Sequence, residues 1–164
     1  MAREISAGGV VVRYMYDRWW MAVIEPHSSA EKRTRQSKPV IALPKGLVDG
    51  GERPEQTAVR EVREETGIQA EAVTKLDDIR YVYVRSWGDR QRVFKIVSFY
   101  LLLYRSGEIG DITPDMQIEV SKAEWVPLEE AAQRLTYPGE RQVAQKALAY
   151  LQAHPELAES KSHL

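Results

Sequence analysis

Apolar and polar positions alternate along this chain in a way that divides it into short strands and three helices. Residues 5–15 carry a β-rich run, Val10-Val11-Val12, behind Gly8-Gly9. Residues 19–25 form a second apolar stretch, and Asp17-Arg18 between the two reads as a hairpin turn. Residues 26–39 are polar and basic with no apolar period, which makes them a loop, and a long one. Residues 40–43 read as a short strand ended by Pro44. Residues 54–66 have helical spacing: Pro54 suits the first helical position, and Gly67 suits the left-handed residue just past the end. Arg53 is a poor N-cap, so the preceding loop is expected to hold the helix start. Residues 70–85 and 92–104 resemble two long strands with Trp87-Gly88-Asp89 in the turn region. A further strand over 120–126 precedes a short helix over 128–135. A last helix, from 139 to about 153, puts Val143, Ala147, Leu148 and Leu151 on one face. Strands mixed with helices predict an α/β sandwich, with one domain over 1–153 and a frayed tail over 154–164.

Composition narrows the class. The 164 residues are 43% apolar and 29% charged, as expected of a globular chain with one core. The longest apolar run is too short to cross a bilayer, and Met1-Ala2-Arg3-Glu4-Ile5 lacks the core of a signal peptide. Without cysteine there is no disulfide framework, thiolate nucleophile or cysteine zinc site, and a cytoplasmic location is the expectation. The net charge of −1 argues against a general nucleic-acid binder. Its distribution is uneven, however. Cations gather at Arg33, Arg35 and Lys38 and again between Arg80 and Lys95, while acids crowd between Glu52 and Glu71.

The acids carry the candidate chemistry. On the 54–66 helix, Glu61, Glu64 and Glu65 are three and four positions apart and share a face, with Ala58, Val59 and Val62 on a neighbouring arc free to bury against a sheet. Like charges so placed repel by roughly 0.2–0.5 kcal/mol per pair in an isolated helix, and more on a docked one. Magnesium neutralises such a cluster naturally, because hard cations take carboxylate oxygens. A solvated acidic face with Arg60 and Arg63 as partners is the bland alternative. The glycine-rich stretch just upstream, Gly46-Leu47-Val48-Asp49-Gly50-Gly51-Glu52, favours the metal, since its backbone can approach an ion or phosphate closely.

Taken whole, GLVDGGERPEQTAVREVREETGI over residues 46–68 resembles the Nudix box with every fixed position filled. The resemblance implies a Nudix-type α/β/α sandwich with a mixed β-sheet and hydrolysis of a phosphoanhydride bond. It implies Mg²⁺ as cofactor, with Mn²⁺ as a possible substitute. By the same resemblance, Glu61, Glu64, Glu65 and the Gly46 carbonyl take the metal, and Glu52 with Arg60 forms a structural ion pair. A carboxylate must accept the proton of the attacking water. Glu64 is the first choice for that base. Glu119 is the second, because it lies just before Trp125-Val126-Pro127-Leu128-Glu129-Glu130-Ala131, a stretch resembling the family's usual ending; Asp115 and Gln117 are weaker versions of the same idea.

The box does not name the substrate. Leu43-Pro44-Lys45-Gly46 resembles the entry to the box in diadenosine and diphosphoinositol polyphosphate hydrolases, making Lys45 a candidate phosphate contact. The run from Arg92 to Tyr100 resembles the strand that carries a lysine to the polyphosphate there. Alternation lets only one of Arg92 and Lys95 face the cleft, and Lys95 is preferred. Tyr81 and Tyr83 sit where dinucleoside polyphosphate hydrolases carry a tyrosine, and either ring can stack on a base. Arg33, Arg35 and Lys38 suit a long polyphosphate chain, or else belong to a solvated loop. Trp87 at its turn is a candidate cover for a substrate. The expected partner is therefore a small nucleotide or polyphosphate, with diadenosine tetraphosphate first. Diphosphoinositol polyphosphates and nucleoside triphosphates are the rivals, and a non-catalytic binding module is the alternative of another class. Neither membrane nor general nucleic-acid binding is expected, and the protein is expected to be a monomer or homodimer.

Overall fold

A computed structural model describes residues 2–27, 38–86 and 88–159. Six strands form one mixed sheet: β1 (Ala2–Met15), β2 (Arg18–Pro26), β3 (Lys45–Leu47), β4 (Gln69–Val84), β5 (Arg92–Ser106) and β6 (Val120–Pro127). The order is β4-β5-β1-β2-β6, with β1 and β5 parallel and the other pairs antiparallel. Alternation along β1 explains why both faces are covered. Val10 and Val12 meet Val97, Phe99 and Leu101 under α2 (Leu128–Arg134) and α3 (Pro138–Ala153). Ala7 and Val11 meet Leu102 on the other face, under Ala58 and Val62 of α1 (Pro54–Thr66). The expected α/β/α sandwich is the observed architecture. No helix among the described residues is long and apolar enough to cross a membrane.

Helix α1 spans the residues its pattern predicted. Gly67 closes it at φ 85°, a left-handed conformation that a side chain resists, and its N–H donates to the Arg63 carbonyl. The helix start is held as expected for a chain without a good N-cap. The Arg53 N–H donates to Gln56 Oε1 at 2.9 Å, and the Thr57 hydroxyl to Glu52 Oε1 at 2.6 Å.

Several expectations need correction. The hairpin turn falls at Tyr16 and Asp17, with φ of 52° and 60°, so Arg18 already belongs to β2. Two consecutive left-handed residues give the turn a twist that matches the strands. No strand forms over 40–43, where Ala42 makes only an isolated bridge to Ile24. The reason is that neighbouring donors are diverted to side chains: the Ile41 N–H goes to Thr136 Oγ1 and the Leu43 N–H to Glu140 Oε1, each at 2.8 Å. In its place β3 forms within the stretch read as a turn. β2 pairs with β1 only over residues 12–15, which leaves residues 6–8 of β1 open to pair with Lys45–Leu47. Leu135 lies outside α2, α3 begins at Pro138, and part of the expected tail is a short 3-10 helix, Pro155–Glu159.

Candidate functional site

Arg60 is the hub of the loop–helix junction. Its Nε donates to Glu52 Oε2 at 2.8 Å and its Nη2 to Glu52 Oε1 at 3.1 Å, the fork that guanidinium makes with a carboxylate. Nη2 also donates to the Leu47 carbonyl at 3.2 Å and lies 3.4 Å from Asp49. The Arg60 guanidinium, helped by the Thr57 hydroxyl, holds the Glu52 carboxyl down at about 2. In return Glu52, first of all, raises the Arg60 pKa above its ordinary value. Arg60 and Glu52 thus tie the glycine-rich loop to the helix.

The three helix acids share a face yet differ sharply in environment. The Glu64 side chain is 32% exposed and that of Glu61 12%, while Glu65 as a residue is 7% exposed. Arg60 Nη1 bridges Glu61 Oε1 at 2.9 Å and Glu64 Oε2 at 3.1 Å. Glu65 Oε2 accepts the Lys45 N–H at 2.9 Å. Burial, and then the neighbouring Glu61 charge, pushes the Glu65 carboxyl up to about 9. Burial also raises Glu61. Each of these two carboxyls also bears on the other, so buried Glu65 and half-buried Glu61 form a coupled acid pair beside Arg60. Gly46 presses on this pair: a Cβ there would lie 2.2 Å from the Glu61 carboxylate.

A hard divalent cation fits that donor set. The oxygens are those of three neighbouring carboxylates, and Gly46, a position without a side chain, lies directly over Glu61. Among the described residues no three acid or histidine side chains already converge as a cage. Arg60 Nη1 stands between Glu61 and Glu64 as a counter-ion.

On the other face of the sheet a cleft of about 480 Å³ opens beside the same loop, lined by Lys45, Ile79, Tyr81, Phe99, Tyr137 and Glu140 among others. Lys45 belongs to both sides. Its N–H meets Glu65, while its Nζ donates to Glu140 Oε2 at 2.8 Å and to the Leu43 carbonyl at 3.3 Å. Lys95 shares the strand face of Val97 and Phe99 and lies half-buried, with its Nζ 3.9 Å from Glu4. Burial lowers its pKa. Arg92, of opposite parity, is exposed. Tyr83 donates its hydroxyl to Glu4 Oε1 at 2.6 Å, and its ring lies 6.3 Å from that of Tyr81, which lines the cleft.

Glu119 is exposed at the end of a 3-10 turn, and its carbonyl accepts the His27 N–H at 2.7 Å. Arg33, Arg35 and Trp87 lie outside the described residues. Three residues of this site went unremarked in the sequence: Glu4, Tyr137 and Glu140. An acid in the first turn of a helix usually faces water. No local signal marks Glu140 as a buried residue whose partners lie 95 and 97 positions away.

Comparison with known proteins agrees with this geometry. The family model described as NUDIX domain matches residues 18–147. The chain is 41% identical over 144 residues to the MutT4 protein of Mycobacterium tuberculosis (strain CDC 1551 / Oshkosh), across 88% of this chain but only 54% of that protein, about half its length. It is 32% identical over 114 residues to the asymmetrical bis(5'-nucleosyl)-tetraphosphatase of Mus musculus, covering 68% of this chain and 72% of that one. Among solved structures, an Ap4A hydrolase binary complex from C. elegans superposes with a TM-score of 0.61 over 92% of this chain and 98% of that chain, at 20% identity.

Proposed function

The chain belongs to the NUDIX family, and on that footing we propose that it hydrolyses a phosphoanhydride bond in a nucleotide-linked diphosphate, with a dinucleoside polyphosphate such as diadenosine tetraphosphate, cut asymmetrically, as the substrate. The observation that carries this reading is the pair of half-buried Glu61 and buried Glu65 under Gly46, with Arg60 fixing the loop around it. Gly46 through its carbonyl and Glu61, Glu64 and Glu65 through their carboxylates would hold the metal. Mg²⁺, or Mn²⁺ in its place, supplies there a water of lowered pKa and neutralisation of the phosphate oxygens.

The chain's own groups do the rest. Glu64, the most accessible of the three acids, accepts the proton of the attacking water, and Glu119 is the second choice for that role. Arg60 and Glu52 keep the loop in register and do not touch the substrate. Lys45, at the cleft, and Lys95, on the same strand face as Val97 and Phe99 of its lining, neutralise phosphates beyond the scissile bond. Tyr81, with Tyr83 behind it and Tyr137 opposite, offers aromatic surface to a base. Arg33 and Arg35 are assigned to the distal polyphosphate on their chemistry alone.

A second reading, hydrolysis of a nucleoside triphosphate, is favoured by 33% identity over 105 residues to the 8-oxo-(d)GTP phosphatase of Mycolicibacterium smegmatis (strain ATCC 700084 / mc(2)155). A panel of diadenosine tetraphosphate, a diphosphoinositol polyphosphate and canonical and oxidised nucleoside triphosphates, assayed with Mg²⁺ by released products, separates the two. Turnover of triphosphates alone selects the second. Glu64→Gln in the same assay should lower turnover by about 10²–10⁴-fold with an unchanged melting temperature. Equal turnover would remove Glu64 as the base, and a wild type inactive on every compound would leave a binding module.

A further inference from the structure

Glu140 is a buried acid, 4% exposed, in the first turn of α3. Its two oxygens do different things. Oε1 accepts the Leu43 N–H and Oε2 accepts the Lys45 ammonium, each at 2.8 Å. The Lys45 N–H meanwhile donates to Glu65 at 2.9 Å. The short segment 43–45 is therefore suspended between two buried carboxylates, Glu140 on α3 and Glu65 on α1, which belong to opposite faces of the sheet. Fixing the backbone alone would need one acceptor, and a glutamine amide oxygen would serve Leu43 without burying a charge. The second oxygen, and the charge, are directed at the Lys45 side chain.

Resting on the hydrolase reading, we propose that Glu140 is a positioning residue for substrate binding: it pins the Lys45 ammonium at the wall of the cleft, so that a diphosphate anion meets a cation already in place. Lys45 needs such a partner because it is a flexible four-carbon stem with many rotamers. Removing the Glu140 charge makes the cleft less negative, but the ammonium that should meet the phosphate is then no longer held at its wall. With the pin gone, rotamer freedom carries the ammonium away. The net result is weaker binding. Because Glu140 acts through Lys45, its effect must vanish where Lys45 has no ammonium.

The test is a double-variant cycle on the full chain with Mg²⁺ and diadenosine tetraphosphate, reading kcat and KM separately and a thermal melt for each protein. Glu140→Gln is expected to raise KM about ten-fold, equivalent to 1.4 kcal/mol, with kcat changed less than about two-fold. Lys45→Met should raise KM by at least as much. Adding Glu140→Gln to Lys45→Met should raise KM no further than Lys45→Met alone. A KM unchanged or lowered in Glu140→Gln overturns the proposal, as do KM effects that multiply in the double variant. If Glu140→Gln is unfolded at the assay temperature, Glu140→Asp takes its place. It keeps the charge but is one methylene too short to serve Leu43 and Lys45 together, and an unaltered KM there overturns the proposal equally. A wild type inactive on every diphosphate defeats the hydrolase reading and this one with it, whereas an active wild type with multiplying effects defeats this one alone.

Discussion

Gly46→Ala puts one methyl group against the acid that the proposed metal site depends on. A Cβ at Gly46 would lie 2.2 Å from Glu61 Cδ and Oε1 and 2.6 Å from Oε2, whereas ordinary contact begins near 3.4 Å, so the carboxylate must retreat by more than 1 Å. The backbone itself tolerates alanine, since Gly46 is not among the positive-φ glycines. The cost therefore falls on the chemistry and not on the fold. Misplacing a reacting group by about 1 Å can lose ~10²-fold in rate, roughly 2.7 kcal/mol of barrier. Stability should move little: about 0.4–1 kcal/mol is gained by restricting the unfolded chain, against up to about 1 kcal/mol lost if Glu61 leaves its partly exposed pairing with Arg60. The assay is product release from diadenosine tetraphosphate over a Mg²⁺ titration, with a melt of the same sample. Turnover should fall about a hundred-fold, the half-saturating Mg²⁺ concentration should rise, and the melting temperature should stay within a few degrees. Shortening the acid in the same chain, Gly46→Ala with Glu61→Asp, should recover part of the loss. Wild-type turnover and metal dependence in Gly46→Ala would refute the claim that Glu61 needs this space for a cation.

Further outcomes follow from the same contacts. With its carboxyl raised to about 9, Glu65 favours the folded state fully below its ordinary 4.5, and that contribution is lost as pH climbs through about 9. Metal-free protein should therefore melt progressively lower from pH 5 to pH 9, Glu65→Gln should flatten that slope, and Mg²⁺ should raise the melting temperature more at pH 8 than at pH 5. Glu52 has the opposite sign. Held at about 2, it contributes stability above 4.5 that disappears as pH falls toward 2, so Glu52→Gln should lose part of the acid limb of a pH–melting curve. Tyr81→Ala should raise KM about ten-fold for a dinucleotide, the order expected of one lost base-stacking contact, and leave KM for inorganic tripolyphosphate unaltered. Equal effects on both would show that the ring does not meet a base.

The loop–helix unit was legible because its rules are local. Pro54 at the start, Gly67 at the end and acids at three- and four-residue spacing act within a few residues of one another, and α1 occupies the span they predict. Strand alternation likewise separated Lys95 from Arg92, since parity depends only on the pleat. The misread stretch, 40–43, shows where that reach ends. Its apolar residues carry a strand's pattern, but their N–H groups answer to Thr136 and Glu140, almost a hundred residues away.

The amino-acid sequence by itself determined the family motif, the acid cluster, the covered two-faced sheet and the want of a cysteine site, because composition and short-range periodicity carry all of these. Tertiary structure alone decided that β1 shares one edge between β2 and β3, that Glu65 is buried while Glu61 and Glu64 are only partly so, and that Glu140 reaches Lys45 and Tyr83 reaches Glu4. The physical reason is that a carboxylate's burial, protonation and partner are set by which strands and helices pack around it. That packing comes from sheet register and loop closure across the whole chain, to which no residue's immediate neighbours testify.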